Sequence, residues 1–201
     1  MTSVLTGDII NSKDSNPDKW LESLKQVFKN HAKEIVAWEI FRGDSFQIEI
    51  NPKYALELAI NIKLSIKQHK DIDVRIAIGI GDKTYSVNKI TESNGTAFIN
   101  SGECFDNLKK TTLAIKTPNE DFDYTLNTIF NLALLTIDNW TIKSVKLLQV
   151  VFDNPNKNQK EIAKLMNKSQ SSISEALDRA GFNELLQVLV YYQYKIENTK
   201  W

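Results

Sequence analysis

The order of extended and helical runs predicts an α+β fold, with a βαββαβ domain followed by an all-α one. Three observations carry this. Extended runs are confined to the first 117 or so residues, at 3–6, 35–42, Ser45–Ile50, 73–79 and 113–117. Helical spacing separates the first run from the second and the third from the fourth. Beyond Asn119 every apolar pattern is helical.

Residues 3–6 end at Gly7-Asp8, a first strand running into a turn. Asn16 is placed to cap a helix with Pro17 at its first position. Trp20, Leu21, Leu24, Val27, Phe28 and Ala32 then recur at helical spacing. Residues 35–42 and Ser45–Ile50 flank Gly43-Asp44 and predict a hairpin. Phe46, Ile48 and Ile50 share one face of it; Gln47 and Glu49 share the other. Asn51-Pro52 opens a second helix, expected to bury Ala55, Leu58, Ala59, Ile62 and Ile66. Residues 73–79 form the fourth strand and end in Gly79-Ile80-Gly81.

This β-α-β-β-α-β order is that of the ferredoxin-like split βαβ. Its antiparallel centre puts the end of the first strand beside the hairpin tip, so Asp8 and Asp44 are expected to be neighbours. Asn94-Gly95 reads as a turn, 97–110 as a helix and 113–117 as a last strand. The expected division is a domain over 1–118, a linking helix within 119–140 and a helical domain over 141–201. In the last, Ile142–Phe152, 159–166, 169–180 and Phe182–Asn198 are the helices.

With 201 residues, 42% apolar and 25% charged, the chain has the composition of a globular protein. The formal net charge is zero, but from Ile142 onward nine basic residues face six acidic ones, +3 there and −3 before it. That asymmetry fits a nucleic-acid-facing tail. One cysteine, Cys104, excludes an internal disulfide, and two histidines make a soft-ligand zinc site a poor reading. No apolar run reaches the ~18 residues that cross a bilayer, and the first residues lack a signal-peptide pattern. The expectation is a cytoplasmic protein without membrane contact.

The carboxylates carry the chemistry. Asp8 at a central strand end and Asp44 at a hairpin tip are the residue type a divalent cation prefers, with phosphate oxygens completing its shell. Each also has a plain reading as a turn residue. Asp8-Ile9 and Arg42-Gly43-Asp44-Ser45-Phe46 resemble the strand-one and hairpin motifs of class III nucleotide cyclases and diguanylate cyclases. The resemblance spans roughly residues 2–110. It implies Asp8 and Asp44 as Mg²⁺ ligands, with Gly43, Ser45 and Asn100 at the nucleotide. It also implies an arginine four residues after Asn100, where Cys104 stands, and no Lys or Arg occurs between Ile90 and Lys109. A transition-state arginine is worth several powers of ten in rate, so turnover is expected to be slow or absent. The whole layout, with Thr6–Ile9 and Gly43–Gln47, is similar to the SatD family of bacterial proteins.

Residues 159–177 resemble the Gln-x-Glu-Ile-Ala helix-turn-helix of bacterial regulators. Ile162, Leu165, Ile173 and Leu177 would form the interhelical core, and Ser169 would cap the recognition helix. Lys168, Ser169, Gln170, Ser171, Ser174 and Arg179 are then the candidate DNA contacts. Glu175 and Asp178 oppose phosphate contact on the same helix. The last helix is expected to pack on the bundle or to pair two subunits, with Leu189 in the seam. His31 and His69 read as helix-end residues, and Trp20, Trp38 and Cys104 as core.

The leading expectation is a bacterial regulator whose cyclase-like domain binds a nucleotide with Mg²⁺ and whose helix-turn-helix binds DNA as a homodimer. The rivals are a nucleotide-processing enzyme with a helical assembly domain, and a non-catalytic protein-interaction module.

Overall fold

The computed structural model describes residues 1–14, 16–85, 87 and 89–201. Among these are five strands in one sheet and eight α-helices. The strands are β1 (Thr2–Ile10), β2 (Ile35–Phe41), β3 (Ser45–Ile50), β4 (Asp73–Gly81) and β5 (Leu113–Lys116), in the spatial order β2-β3-β1-β4-β5. β1 runs antiparallel to both β3 and β4; β5 joins β4 in parallel.

The first strand is longer than expected. It does not turn at Gly7-Asp8 but continues to Ile10, with Asp8 opposite Ser45 on one side and Arg75 on the other. Alternation explains this. Leu5 and Ile9 are buried in the main apolar cluster, and neighbouring strands pair on both sides over Gly7 and Asp8. Thr6 and Asp8 therefore point to the opposite face, and Asp8 becomes a strand residue rather than a turn residue.

The expected helix cap is present. The Asn16 Oδ1 accepts from the Asp18 amide at 3.0 Å, and α1 (Pro17–Asn30) buries Trp20, Leu24, Val27 and Phe28. Ala32 lies beyond its end and is exposed. A short 3-10 turn at Pro52–Tyr54 leads into α2 (Ala55–Ile66). The sequence pattern predicts one buried face for α2, but every residue except Glu57 is buried. The reason is its position: α1 lies beside it, β4 and β1 lie against it, and the helical half packs on its remaining side.

On the other face of the sheet lies α3 (Thr96–Asp106), shorter than the expected 97–110. Its backbone sits directly on β4. A side chain at Gly79 would collide with Ser101 and Ala97, and one at Gly81 with Thr96 and Ala97. Val4, Ile90, Ala97 and Phe98 form a small apolar cluster of their own on this side.

The rest is helical: α4 (Glu120–Ile137), α5 (Ile142–Phe152), α6 (Gln159–Leu165), α7 (Gln170–Arg179) and α8 (Phe182–Asn198). Asn158 and Glu161 form a reciprocal capping box on α6, and the Ser169 hydroxyl accepts from the Ser172 amide at the start of α7. One apolar cluster runs from Leu5 and Phe46 through α2 to Leu148, Ile162, Leu177 and Tyr192. Tyr192 is fully buried and its hydroxyl donates to the Pro52 carbonyl at 2.7 Å. Leu189 also lies in this cluster, only 8% exposed, so it is a core residue and not a free seam. The outward stripe of α8 is Leu186, Val190 and Tyr194. No helix among the described residues is long and apolar enough to cross a membrane.

Candidate nucleotide and metal site

The end of β1 and the β2–β3 turn form one polar corner. Arg42 and Gly43 both take positive φ, 54° and 90°, which tight hairpin turns require of their central residues. Nothing stands within 4 Å of a Cβ placed on Gly43, so the glycine is there for its conformation rather than for space. The turn brings the Asp44 carbonyl to the Ile9 amide, 3.1 Å away, and so ties the tip to the strand that carries Asp8.

Each carboxylate accepts from a serine. The Ser45 hydroxyl donates to Asp8 Oδ1 at 3.2 Å, and the Ser12 hydroxyl donates to Asp44 Oδ2 at 2.6 Å. The other oxygen of Asp8 receives Arg75 Nη2 at 3.1 Å. The guanidinium of Arg75 is itself laid over the Phe105 ring, 5.0 Å from its centroid. Asp44 has no cationic partner among the described residues. The corner thus presents hard oxygen donors with one cation already on Asp8.

Such a donor set fits Mg²⁺ in a limited way. Among the described residues no group of three His, Cys, Asp or Glu side chains is close enough to hold a metal. Mg²⁺ is commonly held by one or two carboxylates, with water and phosphate filling the octahedron. Asp8 and Asp44 are the carboxylates available for such a pair; a cation would have to compete with Arg75 for Asp8, and an anionic phosphate would compete with Asp8 for Arg75.

The expected residues are not all brought together. Gly43 and Ser45 stand at the corner. Asn100 does not: its side-chain amide donates to the Ile80 carbonyl at 2.8 Å, and Ile80 pairs with Ser3 at the far end of β1. Cys104 packs beside Ala77 and Leu108, and burial pushes its thiol up to about 12, so it replaces the arginine with an inert apolar group. Arg75 is the functional candidate that sequence reasoning missed. Its signal was available in the strand order: the start of β4 lies beside the end of β1, which puts Asp-Val-Arg opposite Asp8.

In the helical half, Gln170, Ser171, Ser172, Glu175, Asp178 and Arg179 are the exposed positions of α7, while Ser174 is half-buried. Arg179 leans on Glu175 at 3.7 Å. Lys168, Ser169 and Gln170 are exposed at the start of the helix, and Gln170 Nε2 donates to Gln159 Oε1 at 3.1 Å.

A family model described as "SatD family" matches residues 3–191. The chain belongs to the SatD family. No curated protein matches it in sequence. Among solved structures, a bacterial light-regulated adenylyl cyclase aligns with this SatD-family chain at 10% identity and a TM-score of 0.36, over 57% of this chain and 74% of that one.

Proposed function

We propose that this chain is a nucleotide-responsive regulator. Asp8 and Asp44 bind Mg²⁺ and the phosphates of a nucleotide at the β1–hairpin corner. The α6–α7 pair serves as a helix-turn-helix, and the β-α-β-β-α-β part is a ferredoxin-like, cyclase-like domain. The observation that supports the reading is two carboxylates, each accepting from a serine, on chain segments joined by the Ile9–Asp44 backbone hydrogen bond, of which Asp44 has no cationic partner among the described residues. Among the described residues, Asp44 accepts one side-chain hydrogen bond, from Ser12. Turnover is expected to be slow or absent, since Cys104 offers no positive charge.

Calorimetry with ATP and GTP, with and without Mg²⁺, tests this. Wild type should show Mg²⁺-dependent binding, and Asp44→Asn should retain only the metal-independent part. Equal affinities in the two proteins would leave Asp44 a turn residue. Product formation lost in Asp8→Ala would instead promote the chain to an enzyme.

DNA binding by a homodimer is the second half of the proposal, with Lys168, Ser169, Gln170, Ser171 and Arg179 at the contact. The two exposed acids on α7 favour a competing reading, in which the helix pair binds protein rather than DNA. Anisotropy with genomic fragments at two salt concentrations decides. Binding that weakens steeply with salt and with Arg179→Ala supports DNA; silence at low salt supports a protein partner.

A further inference from the structure

Away from the carboxylate corner, a cleft of about 600 Å³ opens between the end of α4, the start of α5 and one flank of α7. That is the size of a small-molecule site. Its floor is apolar. Trp140, Leu147, Ile173 and Met166 line it, and the first three are buried. The floor is also fixed in place, because the Trp140 indole Nε1 donates to the Ala180 carbonyl at 2.9 Å.

The rim carries one sign of charge. Lys143, Lys168 and Arg179 line the cleft, and no aspartate or glutamate does. Among the described residues, neither Lys143 nor Lys168 has a salt-bridge partner, and Arg179 has only Glu175, 3.7 Å away on its own helix. The three cations come from separate places: the first turn of α5, the α6–α7 turn and the end of α7. The Lys168 backbone is held there by its amide, which donates to the Ala163 carbonyl at 2.9 Å. Thr141, Ser144 and Ser172 add hydroxyls, and Thr141 is the N-cap of α5, whose first amides favour an anion. Three cations around one cleft repel one another until an anion joins them. The floor sets a second requirement. Inorganic phosphate or the phosphate backbone of DNA can use the cations, but neither has an apolar body to cover Trp140 and Leu147.

We propose that this cleft binds a small amphipathic organic anion, an apolar body carrying a phosphate monoester head. The body lies over Trp140, Leu147 and Ile173, and the dianionic head is shared by Lys143, Lys168 and Arg179. Bound there, the ligand joins α4 and α5 to α7 and occupies Lys168 and Arg179, two cations of the proposed DNA contact. That regulatory consequence rests on the DNA reading; the binding itself does not.

The test is calorimetry and thermal melting of the full chain with naphthyl phosphate, without Mg²⁺, nucleotide or DNA, so it stands apart from the carboxylate corner. Inorganic phosphate supplies the head alone and naphthol the body alone, at matched ionic strength. Wild type should bind one naphthyl phosphate saturably and melt at a higher temperature, and should bind either fragment far more weakly. Lys143→Gln and Lys168→Gln should each weaken binding by about three- to tenfold, the range between an exposed ion pair and a hydrogen bond to a charged group. Both side chains are exposed, so the ligand-free melting temperature should stay that of wild type. That separates lost binding from lost folding. Absence of saturable binding in wild type, equal binding of inorganic phosphate or of naphthol, or unchanged affinity in both lysine variants would each overturn the proposal. Genomic fragments that bind while naphthyl phosphate does not would leave these cations to DNA alone, so the two proposals fail separately.

Discussion

Asp73 and Arg75 stand two residues apart on β4, yet they belong to charge clusters of opposite character. Asp73 joins a closed one. Lys63, with no exposed side-chain surface, places its Nζ against Asp73 Oδ1 (3.1 Å), the Val74 carbonyl (3.1 Å), Thr112 Oγ1 (3.0 Å) and Asp138 Oδ1 (3.2 Å). Lys67 adds Asp73 Oδ2 at 2.8 Å and the Asp138 carbonyl at 3.0 Å. Two cations meet two anions, and the cluster pins α2 to β4 and to the end of α4. Arg75 joins an open cluster, where it meets one of two carboxylates and is 39% exposed. The contrast separates roles: a buried charge is retained only when fully partnered, and such completeness leaves no valence for a ligand. A carboxylate such as Asp44, short of partners at the surface, keeps its capacity to bind.

The largest break in this comparison should come from Lys63→Ala. Removing one member of a buried ion cluster leaves uncompensated charge and costs roughly 3–5 kcal/mol. Urea unfolding measures it; a loss below about 1 kcal/mol would mean that water enters and the cluster is not closed.

Tyr192→Phe sharpens the closed side. It removes a single buried hydroxyl that ties α8 to Pro52 and should cost about 1–3 kcal/mol, because the Pro52 carbonyl loses its donor. The same unfolding experiment reads it, and no change would indicate that another donor replaces the hydroxyl.

Arg75→Gln probes the open side. An exposed ion pair contributes under about 1 kcal/mol to stability. Freed from the guanidinium, Asp8 should hold Mg²⁺-nucleotide several-fold more tightly in calorimetry. Weaker binding would show that Arg75 contacts the phosphates itself.

The smallest effect on stability is expected from Asp44→Asn, within roughly 0.5 kcal/mol, since the turn geometry rests on Arg42 and Gly43 rather than on the carboxylate. A melting curve shifted by much more would make Asp44 structural and would remove the contrast.

What the sequence by itself determined follows from local rules. The Asn16 cap with Pro17, the hairpin at Gly43-Asp44 and the helices Ile142–Phe152 and Phe182–Asn198 were legible because periodicity and turn chemistry act over a few residues. So was the approach of the hairpin tip to the end of β1, where the Ile9 amide meets the Asp44 carbonyl, since strand order follows from element order. Other features depended on what lies across space. Asp8 reads as a turn residue until two neighbouring strands extend its ladder. α2 reads as amphipathic until α5 and α8 cover its outer side. Leu189 cannot be told from Val190 by hydrophobicity, and only the packing of α8 buries the first and exposes the second. Arg75 and the Lys63 cluster are meetings of residues from separate elements. Electrostatic partners and cavities are set by distances that side-chain identity does not encode, so the tertiary structure alone decided them.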